Sequence, residues 1–80
     1  MLTNEIKKGM HIRLRNGWEA DMMDNLKGNT RLADVFGYEH EMGSVYSHDI
    51  VACKPTLESE WAMVEHTPAQ LKLKKIVDAW

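Results

Sequence analysis

The chain has a single cysteine, two prolines, one phenylalanine and no long apolar run. Each scarcity removes a class of protein. A lone Cys53 excludes an intramolecular disulfide, so 80 residues must be held together by core packing. It also points to reducing surroundings, so a cytoplasmic location is expected. No apolar run approaches the ~18 residues of a membrane span, and the opening MLTNEIKKGM lacks the apolar stretch of a secretion signal. No membrane partner is expected. Neither charge dominates: ten basic and twelve acidic residues leave a net charge of −2, with no general pull toward nucleic acid or anionic lipid.

What is present is an ordinary globular mix, 44% hydrophobic and 28% charged, which predicts one folded domain over residues 1–80. Six methionines and three tryptophans are many for this length. Such residues fill irregular cores, so Trp18, Trp61 and the scattered methionines are expected inside. Charge is distributed unevenly. Residues 1–31 carry six bases and four acids, residues 32–66 one base and seven acids, and residues 67–80 three bases and one acid. An acidic middle therefore lies between two mildly basic ends.

The hydropathy pattern predicts short strands over about residues 5–53. His11-Ile12-Arg13-Leu14-Arg15 alternates, with Ile12 and Leu14 inward and a basic face outward. Asn16-Gly17 predicts a two-residue hairpin turn. Trp18 to Asp24 follows as a second strand, and Asn25 to Asn29 as a turn with Gly28 left-handed. Thr30 to Phe36 reads as a third strand whose faces the pattern leaves open. Gly37 to Ser44 reads as an acidic loop, and Val45 to Val51 as a fourth strand with a short helical break at His48-Asp49. Residues 54–66 form a connection in which Trp61 to Glu65 fits either a fifth strand or a short helix. Thr67-Pro68-Ala69-Gln70 is a capping box with proline at the first helical position. It opens a C-terminal helix over 67–80, whose stripe Leu73, Ile76, Val77, Trp80 should dock on the strands.

Four or five antiparallel strands with a C-terminal helix make a mainly β domain: a small barrel or a bent sheet. The opening Ile6 to Leu14, the Gly17-Trp18-Glu19-Ala20 arm and Val45-Tyr46-Ser47-His48-Asp49-Ile50 resemble SH3-like barrels of the KOW and Tudor type, over about residues 5–52. Gly37 through Ile50, with Glu41-Met42-Gly43-Ser44-Val45-Tyr46, is similar to small accessory proteins of tailed bacteriophages. That resemblance implies a partner that is a host protein, a virion component or nucleic acid.

Catalytic chemistry finds little support. Cys53 has only His48 or His66 as thiol partners and sits beside apolar Ile50-Val51-Ala52. Asp21, Asp24 and Asp34 fall on neighbouring strands, but an acid pair needs a cleft to separate its pKa values. The densest ligand cluster is Glu39-His40-Glu41 with His48-Asp49, where His40 and His48 would have to meet across a hairpin. No cofactor, no metal and no enzymatic activity are expected. The favoured function is a protein-binding accessory module, a monomer or homodimer, using Tyr38, Glu39, Glu41, Met42 and Tyr46 on the acidic loop. The second reading is a nucleic-acid-binding barrel using His11, Arg13, Arg15, Trp18 and Arg31.

Overall fold

The computed structural model describes residues 1–25, 30–37 and 39–79. The expectations for the Gly28 turn, for Tyr38 and for Trp80 lie outside the described residues. Among the described residues six strands follow in chain order: β1 (His11–Leu14), β2 (Glu19–Asp24), β3 (Thr30–Phe36), β4 (His40–Tyr46), β5 (Ile50–Lys54) and β6 (Ala62–Met63). One helix, α1 (Pro68–Asp78), ends the order. All strands join one antiparallel sheet in the order β4-β3-β2-β1-β5-β6. β4 and β6 are its two edges, so the sheet is open and no barrel is closed. Register shifts at Arg13/Leu14 and at Met22/Asp24 place an extra residue in one strand, which bends and twists the ladder there.

The stretch 37–44, expected as a loop, is largely strand. β4 pairs with β3 over seven positions, from Phe36 with His40 to Thr30 with Tyr46. Glycine, serine and two charged residues hide its period, but the register with β3 satisfies its backbone. The expected break at His48-Asp49 is a 3₁₀ turn over Ser47–Asp49, and it divides the expected fourth strand into β4 and β5. The first hairpin also differs from expectation. Gly17 N–H donates to the Leu14 carbonyl at 2.9 Å and Leu14 N–H to the Trp18 carbonyl at 2.7 Å. Only Gly17 of this loop is left-handed, at φ 92°, so three residues turn the chain, closed by a left-handed glycine.

One face of the sheet makes the core. Ile12 and Leu14 of β1, Ala20 and Met22 of β2, Ala33 of β3 and Ile50 and Cys53 of β5 close over Ile6 and Val64. Burying a side chain such as Ile12 contributes about 1.5–3 kcal/mol. The register pairs Ala20 with Val35 and Met22 with Ala33, so Arg31, Ala33 and Val35 take the core face of β3. Arg31 is consequently 2% exposed. Its Nη2 donates to Asn4 Oδ1 at 2.8 Å and its Nη1 to the Thr30 carbonyl at 3.0 Å. Its Nε donates to Asn25, whose amide in turn donates to the Thr3 and Ile6 carbonyls. Arg31 thus bolts the N-terminal turn to the sheet, and burial pulls its pKa down.

Two expectations about the core fail. Trp18 is half-exposed, and Trp61 lies on the opposite face with Arg13; Met42 and Met63 are exposed as well. The helix starts as expected: Thr67 Oγ1 accepts from Gln70 N–H, Gln70 Oε1 accepts from Thr67 N–H, and Pro68 is its first residue. Its stripe does not enter the core. No residue of α1 is buried, and Leu71 and Ile76 are each 52% exposed. α1 instead packs against the Ser47–Asp49 turn.

Candidate functional site

A cleft of about 630 Å³ opens between the Leu14–Trp18 hairpin and β4. It exists because side chains are small there. On the core face Ala33 stands opposite Gly43, between the pairs Val35–Glu41 and Arg31–Val45. A Cβ on Gly43 would meet nothing within 4 Å. Trp18 forms a wall. Its ring packs against the Gly37 backbone, so closely that a Gly37 Cβ would lie 2.5 Å from Trp18 Cζ3. Leu14, Val35 and Val45 supply further apolar lining, and Glu39, Glu41, Met42 and Tyr46 line the β4 side.

The cleft has an acidic rim. Glu39, Glu41 and Asp49 line it, with Arg15 as its cation. Arg15 is already engaged. Its Nη1 and Nη2 donate to Asp78 at 2.8 and 3.1 Å, and Nε lies 3.0 Å from Asp49 Oδ1 in an ionic contact without hydrogen-bond alignment. The fork raises the Arg15 pKa and holds the Asp78 carboxyl below its usual value. It also ties α1 to the first hairpin. Glu39 and Glu41 have no ion-pair partner among the described residues.

The structure thus brings Glu41, Met42 and Tyr46 to one edge strand with Glu39 just before it, and adds Trp18 to them. Sequence reasoning missed this grouping with Trp18, Val35 and Gly37. The signal lay in the alternation Glu41, Gly43, Val45, legible only once β4 is recognised as a strand.

The residues of the second reading are dispersed. Arg31 is buried in the core face and Arg15 is held by two carboxylates. His11 and Arg13 lie on the outer face. There His11 Nδ1 is 2.8 Å from Asp21 and Nε2 is 2.6 Å from Glu19. Burial lowers the His11 pKa, but the hydrogen bonds and charges of Asp21 and Glu19 outweigh it and the net shift is upward. Asp21 stands opposite Asp34 in the ladder, and Asp34 meets His40 at 3.1 Å. Each carboxylate of this like-charged pair therefore has its own imidazole. Phe36 lies between the two rings, 5.8 Å from His11 and 4.4 Å from His40. Arg13 stacks 4.3 Å over Trp61, with Lys54 at 5.3 Å.

The remaining candidates do not assemble. His40 opens β4 and His48 lies in the turn that follows its other end, so about 20 Å of extended strand separates them. Cys53 is buried with its thiol against Met10 sulfur at 3.9 Å, and burial pushes its pKa up. His66 Nε2 donates to the Ile50 carbonyl at 2.9 Å, so that nitrogen carries a proton and is not free to act as a base toward Cys53. Among the described residues no helix is long and apolar enough to cross a membrane. Comparisons with protein-family models, with curated proteins and with solved structures give no match.

Proposed function

We propose that this chain is a non-enzymatic protein-binding module of the phage-accessory type, with the β4 edge and its cleft as the binding surface. The SH3-like resemblance of residues 5–52 belongs to the same proposal. The observation that carries it is the edge itself: seven exposed or half-exposed residues, open on one side, beside an apolar cleft with two carboxylates that have no ion-pair partner among the described residues. Apolar anchors inside a charged rim are how protein interfaces combine affinity with orientation. The test is a photo-reactive residue at Met42, compared with one at Leu57 in the distant 55–60 connection. Protein adducts that form at Met42, persist after nuclease and are absent at Leu57 support the reading. Adducts that vanish with nuclease overturn it.

A second reading, nucleic-acid binding, is supported by Arg13 and Lys54 over Trp61 on the outer face. A cation beside an aromatic ring suits stacking on a single strand. It ranks second because His11, Arg15 and Arg31 already have carboxylate, amide or carbonyl partners.

A further inference from the structure

We propose that the partner segment is an extended basic peptide that adds to β4 as a seventh, antiparallel strand; this rests on the protein-binding reading and gives it a chemistry. Three observations converge. No backbone hydrogen bond outside the β3 ladder involves residues 40–46 among those described, so the outward row of N–H and C=O groups is open to another strand. β4 contains no proline, and all sheet neighbours are antiparallel. The cleft-side positions of β4 then read Val45, Gly43, Glu41, and they prescribe the incoming side chains at two-residue spacing.

Charge complementarity sets the first of these. Glu41 faces the cleft and Glu39 adjoins it. Neither has an ion-pair partner among the described residues, and the nearby cation Arg15 is committed to Asp78 and Asp49. A lysine or arginine opposite Glu41 supplies the missing charge. Space sets the second. The empty volume over Gly43 admits an apolar side chain leaning toward Trp18 and Val35. The recognised pattern is therefore an apolar residue followed two positions later by a basic one.

The probe is an acetylated and amidated heptapeptide, threonine-valine-threonine-leucine-threonine-arginine-threonine, against the same peptide with glutamate replacing arginine. Binding is read by fluorescence anisotropy and by amide hydrogen exchange of β4. The arginine peptide is expected to bind about tenfold tighter or more, to slow exchange along β4, and to lose that preference in Glu41→Gln. Gly43→Val, which strand geometry accepts, is expected to weaken binding by filling the groove. Equal binding of both peptides, or binding that leaves β4 exchange unchanged, overturns the proposal. So does failure of the arginine peptide to bind at millimolar concentration. A dimer that pairs through β4 and excludes the peptide assigns the edge to a second copy and overturns it too. The broader reading is judged separately by the Met42 adducts.

Discussion

Trp18 and Gly37 are a matched pair: the indole occupies the space that any side chain on residue 37 would need. Gly37 has no left-handed backbone to protect, so its glycine is required by this contact and not by conformation. Gly37→Ala is expected to displace the ring and deform the cleft wall. The half-exposed indole can move, so the stability cost should stay within about 1–2 kcal/mol. The Trp18 indole N–H resonance checks this. An unmoved resonance with full stability would show that the contact does not set the cleft.

Arg31→Met should destabilise the fold by about 3 kcal/mol or more, because Asn4, Asn25 and the Thr30 carbonyl lose a buried charged donor together. Arg31→Lys should rescue only part, since an ammonium cannot reproduce the planar fork. Urea unfolding measures both. A near-neutral Arg31→Met would remove the bolt from this account.

His11 links stability to pH in one direction. Its folded pKa is raised above 6.5 by Asp21 and Glu19, against the opposing effect of burial. Its contribution is therefore fully present below about pH 6.5 and is lost as pH rises through the folded value. His11→Gln should flatten the fall in stability that sets in as pH rises above about 6.5. An unchanged slope in urea midpoints across that range would contradict the assignment.

His48 acts in the opposite direction. Its ring is buried beside Tyr46 at 5.1 Å, and burial chiefly lowers its pKa, with Asp49, Arg15, Asp78 and His66 as the surrounding charges. Stability from the neutral ring is present above about pH 6.5 and declines as pH falls toward the folded value. Because α1 rests on the turn holding His48, acidification should raise hydrogen exchange in α1 before it does so in β1 or β2. Uniform loss of protection would contradict this.

Asp78→Asn removes the exposed fork to Arg15. Global stability should change little, because solvent screens both groups, while α1 amides lose protection selectively. Unchanged α1 exchange would show that the helix is held by other contacts.

The parts of the fold legible in the residues are those with strong local signals. Ile12 and Leu14 alternate, so β1 and its inward face follow directly. Thr67 to Gln70 specify the helix start to the residue, because a capping box is satisfied within four positions. β4 was not legible. Its period is broken by Gly43 and Ser44 and its charges mimic a loop, yet seven ladder positions with β3 outweigh those weak preferences.

The candidate site shows the same division. Composition and charge mark Glu39, Glu41, Met42 and Tyr46 as an acidic stretch with apolar anchors, and that much the residues determine alone. Their union with Trp18, and the separation of Arg31 from the other cations, was decided by register across strands. A one-residue change of register would turn Arg31 outward and fill the groove over Gly43. Side-chain direction in a sheet is set by the neighbouring strand, and no local pattern in 31–36 chooses between its two faces.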